Sequence, residues 1–144
     1  MTDMQARFAK WFRKDAGACE FANMLYDAAQ EWDDMEDEGK CRHNALFSWL
    51  AFGKEYTPFF AANSAIMRPA MLGMYLQWRA ATVLEKGDKS DVEKAYMLRA
   101  GLYGVWHVMA WIIGGDDWAG EVGPEIYRTY GETMADLMKE FGHA

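Results

Sequence analysis

Between residues 15 and 38 the chain combines an apolar repeat with an unbroken run of acidic charge. Apolar side chains return every three or four positions, at Phe21, Leu25, Ala28, Trp32 and Met35. The same segment holds nine Asp and Glu residues and no Lys or Arg. Because a spacing of three and four is the period of an α-helix, we predict a helix from about Ala18 to Glu38 with one apolar face.

This acidic segment accounts for the net charge of the whole protein. The chain carries 22 acidic and 15 basic residues, a formal net charge of −7. Without the nine acids of residues 15–38, 13 acids stand against 15 bases, a net charge of +2. Direct binding of nucleic acid needs a basic surface, so this balance argues against it.

The acids are concentrated at the C-terminal end of the predicted helix, where the helix dipole already places partial negative charge. A cation or a basic surface would offset this repulsion, and a solvated helix face is the alternative. We predict that a protein partner with a basic surface docks on this acidic patch, through Asp27, Glu31, Asp33, Asp34, Glu36, Asp37 and Glu38. The corresponding function is that of a small interaction protein or a modulator of the phage type, without enzymatic activity.

The remaining stretches also repeat with a helical period, and none alternates like a strand. We therefore predict an all-α fold, a compact irregular bundle of six to seven helices in a single domain covering residues 1–144. Thr2 with Gln5, and Ser90 with Glu93, have the spacing of capping boxes. Residues 90–113 are apolar on nearly all sides, which predicts a buried central helix ending at Gly114 and Gly115.

Other boundaries follow from Gly, Pro and capping residues. A helix is predicted over about residues 42–52, and Thr57 should cap another that begins at Pro58. Residues 116–120 should form a loop or a short turn, and Pro124 should begin the final helix. Gly101 and Gly104 inside the central helix predict that a neighbouring helix packs closely against them.

A metal site is an alternative interpretation of the acidic segment. Glu31, Asp34 and Glu38 share a helix face, and carboxylate oxygens suit Mg²⁺. A Mg²⁺-dependent hydrolase of a phosphorylated small molecule would need a second acidic pair, for which Glu132 and Asp136 are the candidates.

Histidine and cysteine residues give no catalytic motif. His107 lies within the apolar central helix, which is typical of a hydrogen-bonded core residue, although an approach of His43 and His107 to the acidic helix would allow acid–base chemistry. Cys19 and Cys41 are too few to staple a scaffold, so we expect core thiols and a cytoplasmic protein. No uncharged stretch reaches the roughly 20 residues of a membrane-spanning helix.

The apolar composition leaves two further hypotheses open. Seven Trp, seven Tyr, eight Phe and 11 Met residues are many for one small core, so a homo-oligomer is expected to cover part of them. The bundle could also hold an apolar ligand among these side chains, because the sequence does not distinguish a filled core from a pocket.

The metal hypothesis makes a direct prediction. A site formed by three carboxylates binds only the folded chain, so millimolar Mg²⁺ or Mn²⁺ should raise the melting temperature measured by circular dichroism. An unchanged melting temperature with Mg²⁺, Mn²⁺ and Ca²⁺ would contradict the hydrolase interpretation.

Overall fold

The computed structural model of the chain describes residues 1–38 and 57–144, and for residue 32 and residues 34–38 it describes the backbone alone. This described part is all-α and contains no strand, which confirms the predicted fold class. The helix predicted over residues 42–52 lies outside the described residues. The helices are α1 (Asp3–Trp11), α2 (Ala16–Glu38), α3 (Pro58–Ala62), α4 (Ser64–Leu84), α5 (Lys89–Leu98), α6 (Gly101–Arg128) and α7 (Met134–Glu140).

The first two helices are fixed by caps at their N-termini. The predicted capping box of α1 is confirmed, with the Thr2 hydroxyl accepting from the Gln5 N–H at 3.1 Å and the Gln5 side chain accepting from the Thr2 N–H at 2.9 Å. After Trp11 the chain turns, and the Asp15 carboxylate accepts the Ala18 N–H at 2.8 Å. The short turn lets α1 fold back against α2.

An aromatic cluster between α1 and α6 forms the centre of the main core. The Phe8 ring meets the Trp106 ring edge-to-face at a centroid distance of 5.0 Å, and Trp11 lies 6.0 Å from Trp106. All three side chains are fully buried. A smaller separate cluster joins α5 to α7 through Val92, Leu137 and Met138.

The predicted central helix over residues 90–113 is interrupted, which corrects its boundaries. Helix α5 ends at Leu98 and α6 begins at Gly101, so two helices meet where one was expected. The predicted cap at Ser90 was also wrong. The Asp88 carboxylate accepts the Asp91 N–H at 2.8 Å and begins the helix two residues earlier.

Helix α6 reverses its direction at Gly115, where φ is +83° and ψ is −171°. The His107 ring contacts the Ala119 carbonyl oxygen at 2.9 Å, although a straight helix would separate these residues by about 18 Å along its axis. The two halves of α6 therefore lie side by side. The predicted loop at residues 116–120 was wrong, because the chain reverses at Gly115 alone and the helix resumes at once. Pro124 lies inside α6, so the final helix does not begin there as predicted.

Helix α4 lies beside α6, and Gly101 sets their distance of approach. A Cβ atom at Gly101 would lie 3.3 Å from the Met74 Cα atom, which confirms the close packing predicted for this glycine. At Gly104 a Cβ atom would meet only the Tyr127 hydroxyl at 3.9 Å, an ordinary contact, so the close packing predicted there was wrong. Thr57 and Pro58 occupy the predicted first positions of α3, but the Thr57 hydroxyl is directed at the Met24 sulfur instead of a cap N–H. Pro69 lies inside α4.

Among the described helices, none is long and apolar enough to cross a membrane. Helix α4 nevertheless exposes apolar side chains along one edge, with 56% of Leu72, 55% of Leu76 and 74% of Val83 accessible. A homo-oligomer could cover this edge, and the expected self-association stays a prediction.

The reversal at Gly115 predicts an asymmetry between two glycines of the same helix. Gly115→Ala should lower the free energy of unfolding by roughly 1–3 kcal/mol, because its backbone region is almost closed to residues with a Cβ. Gly120 lies in α6 with no atom within 4 Å of a built Cβ, so Gly120→Ala should raise it by up to about 1 kcal/mol. Urea unfolding measures both free energies, and equal changes in the two variants would contradict the reversal at Gly115.

Candidate functional site

A cavity of about 730 Å³ lies between α2, α4, the α5–α6 junction and the turn that follows α6. We call it the α4 cavity, because α4 forms its longest wall. Its volume is in the range of small-molecule binding sites, which is roughly 300–1,000 Å³.

The wall contributed by α4 is one continuous face of the helix. The side chains at residues 68, 71, 75, 78, 82 and 85 line the cavity, at successive spacings of three, four, three, four and three. At 1.5 Å per residue this wall is about 26 Å long. The cavity is therefore elongated along the axis of α4.

The two facing walls are mainly apolar. Helix α2 contributes Leu25, Ala28 and Ala29, and the α5–α6 junction contributes Leu98 and Leu102. These side chains offer no charge and no strong hydrogen bond to a ligand, so the middle of the cavity suits an apolar chain or ring.

The cavity opens to solvent along the outer edge of α4. Leu72 lines it with 56% of its surface accessible, and Tyr75 lines it with 37% accessible. Across the cavity the Trp78 Nε1–H donates to the Asp33 carboxylate at 3.3 Å, a contact between α4 and α2. A ligand can thus enter at the exposed edge of α4, next to the hydrogen bond between Trp78 and Asp33.

One end of the cavity is a charged cluster that we call the Arg99 corner, formed by Glu85, Arg99, Tyr130 and Glu132. The Arg99 Nη1 donates to Glu85 at 2.6 Å, and the Arg99 Nε donates to Glu132 at 3.0 Å. The Tyr130 hydroxyl donates to the same Glu132 oxygen at 2.7 Å. These bonds join the end of α4, the α5–α6 junction and the turn after α6.

The pKa values in this corner follow from burial and from the ion pairs. Burial alone would lower the pKa of Arg99, but the charges of Glu132 and Glu85 outweigh it and raise that pKa overall. Burial is the main cause that raises the pKa of Tyr130, followed by its hydrogen bond to Glu132. The guanidinium therefore stays charged and the phenol stays neutral at physiological pH.

The acidic residues predicted to bind a partner do not share one environment. Asp27 and Asp33 are exposed, whereas only 6% of Glu31 is accessible, so a docking partner would not reach Glu31 on the surface. The side chains of Asp34, Glu36, Asp37 and Glu38 lie outside the described residues, and the partner-binding surface stays a prediction.

The predicted metal site receives no second acidic pair from α7. Glu132 precedes the helix and binds Arg99, while the Asp136 carboxylate accepts the Thr133 N–H at 3.1 Å in a capping box. Among the described side chains, no three His, Cys, Asp or Glu residues are grouped as metal ligands. The set of Glu31, Asp34 and Glu38 includes two side chains outside the described residues and stays a prediction.

His107 has a structural role in α6. Because the Ala119 carbonyl can only accept, the His107 Nε2–H donates to it, which leaves Nδ1 to accept from the Tyr127 hydroxyl at 3.3 Å. Gly123 makes room for the ring, since a Cβ there would lie 2.8 Å from Nε2. His43 lies outside the described residues.

Cys19 is half-buried, and burial is the main cause that raises the pKa of its thiol. A raised pKa lowers the thiolate fraction, so this cysteine is a poor nucleophile, in agreement with the predicted core thiol. Cys41 lies outside the described residues.

No protein-family model, no curated protein and no solved structure matches the chain. The function of the α4 cavity must therefore be inferred from its own residues and their geometry.

The Arg99 corner is the part of the site that the sequence did not predict. The sequence offered Glu132 only as a metal ligand and assigned no role to Glu85 or Arg99. A usable signal was present, because Arg99 is a single charge between two apolar stretches and a charge in such a place needs a partner. The partners come from residues 14 and 33 positions away, which local periodicity does not identify.

The raised pKa of Tyr130 predicts how the corner responds to alkali. A group whose pKa is raised by folding stabilises the fold fully below its unfolded pKa, here about 10, and this stabilisation is lost as the pH rises above that value. Tyr130→Phe should be less stable than wild type near neutrality, because it lacks the bond to Glu132. Its stability should then fall less steeply above pH 10. Urea unfolding across this range measures both effects, and parallel curves for the two proteins would contradict the assignment.

Proposed function

We propose that the protein is a non-enzymatic binding protein that holds an elongated apolar ligand in the α4 cavity. The observation that carries the proposal is the cavity itself, which is about 730 Å³ in volume and bordered by one face of α4 over about 26 Å. Apolar walls with a few polar groups are the usual composition of a ligand site.

The side chains along the walls support binding of a flexible ligand. Met71 and Met74 of α4 line the cavity and are both half-buried, and methionine adapts its shape to an occupant better than branched residues do. Covering these groups and the accessible part of Leu72 would remove apolar surface from water, at about 25 cal/mol for each Å².

A protein partner with a basic surface is the second candidate, and the exposure of Asp27 and Asp33 on α2 favours it. Asp27 distinguishes the two functions, because Asp33 lines the α4 cavity and Asp27 does not. If a basic partner docks on the acidic patch, Asp27→Asn should weaken that complex and leave the affinity for a cavity ligand unchanged.

Titration with decanol, a neutral ten-carbon alcohol, tests the proposed cavity function. At a hundredfold excess over its dissociation constant, such a ligand should raise the free energy of unfolding by about 2.7 kcal/mol, because it binds the folded chain alone. Ala29→Leu adds three carbon atoms to the cavity wall and should weaken decanol binding at least tenfold.

Ala6→Leu is the matched control, since Ala6 is exposed on α1 and away from the cavity. It should bind decanol like the wild type. Leu102→Phe on the opposite wall provides a second blocking variant if Ala29→Leu fails to fold. Equal decanol affinity in wild type, Ala29→Leu and Leu102→Phe, or no binding to the wild type, would overturn the proposal.

A further inference from the structure

We propose that the ligand of the α4 cavity carries a positively charged amine or quaternary ammonium group, and that this group lies in the Arg99 corner. The inference rests on the proposed function and adds the chemical class of the ligand. It follows from the contacts that the charged and aromatic side chains of the described cavity already make within the protein.

Arg99 supplies the positive charge of the Arg99 corner. Its Nη1 donates to Glu85, and its Nε and Nη2 donate to the two oxygens of Glu132 at 3.0 and 3.4 Å. All three guanidinium nitrogens thus bind carboxylates of the protein itself. An anionic ligand group would have to displace one of these carboxylates before it could bind Arg99.

Arg68 lines the cavity near the N-terminal end of α4, away from the Arg99 corner. Its guanidinium carbon lies 5.6 Å from the centre of the Phe60 ring, within the range of a cation–π contact. Both arginines that line the described cavity are therefore in contact with groups of the protein.

A ligand cation in the Arg99 corner would meet two aromatic rings. The Tyr130 ring lies in the corner, and the Tyr103 ring packs against it with centroids 5.3 Å apart. Both rings line the cavity, and their π faces attract a cation that has left bulk water. Quaternary ammonium groups are bound by aromatic side chains of this type in other proteins.

The carboxylates add a charge that favours the same ligand. Among the described lining residues, Asp33, Glu85 and Glu132 carry negative charge, against the positive charges of Arg68 and Arg99. The side chains of Glu85 and Glu132 are largely buried, with accessibilities of 13% and 21%, so their charges are screened by water less than those of surface groups. An ammonium group in the corner would lie near both of them, whereas a sulfate would be repelled.

Three ligands with the same ten-carbon chain separate the headgroup from the apolar body. Decyltrimethylammonium, decanol and decyl sulfate are titrated below their critical micelle concentrations, with binding followed by calorimetry. We expect the ammonium compound to bind about tenfold more tightly than decanol, a difference of about 1.4 kcal/mol, and decyl sulfate to bind no more tightly than decanol.

The affinity for decyltrimethylammonium divided by the affinity for decanol measures what the Arg99 corner contributes to binding. Glu132→Gln should reduce this ratio at least threefold, because it removes a carboxylate and leaves the Arg99 charge less compensated. Glu121→Gln is the matched control, since Glu121 is exposed on α6 and its removal changes the net charge by the same amount. It should leave the ratio unchanged. Glu85→Gln replaces Glu132→Gln if the latter does not fold.

The possible failures are distinguishable. Decanol binding without a preference for the ammonium compound would overturn this inference and leave the proposed function standing. A tighter binding of decyl sulfate, or an equal loss of the ratio in Glu121→Gln, would also overturn it. If none of the three ligands binds, both the inference and the proposed function are wrong.

Discussion

The geometry of the site depends on the ion pairs of Arg99 with Glu85 and Glu132. Arg99 is the C-cap residue of α5, Glu85 is the C-cap residue of α4, and Glu132 lies in the turn between α6 and α7. One guanidinium therefore holds three separate parts of the chain around one end of the cavity. Breaking a partly buried pair of this kind leaves a charge without its partner, which is more destabilising than loss of a surface pair.

Close packing also fixes the helices around the site. Gly101 allows α6 to approach the backbone of α4, and the aromatic cluster of Phe8, Trp11 and Trp106 holds α1 against the other side of α6. The cavity lies along the face of α4 that is turned toward α2 and the α5–α6 junction.

Local chemistry predicted much of this fold, and tertiary contacts account for the rest. The capping box at Thr2, the close approach at Gly101 and the all-α class all follow from residues within a few positions of one another. The break between α5 and α6 carries no proline. Arg99 lies at this break, and its ion-pair partners are distant in sequence. At Gly115 the glycine indicates where the chain turns but not the shape of the turn, because a loop and a one-residue reversal both use glycine. The cavity could not be predicted, since the same helical period describes a filled groove and an open one.

The claim that the α4 cavity is a ligand site can be tested most directly by the methyl resonances of its methionines. Met71 and Met74 line the cavity, whereas Met138 is buried in the separate α5–α7 cluster and serves as an internal reference. During a decanol titration followed by carbon–proton correlation spectra, the methyl signals of Met71 and Met74 should shift together and saturate, and that of Met138 should stay in place. Unchanged signals from Met71 and Met74, or an equal shift of Met138, would contradict the assignment of this cavity as the binding site.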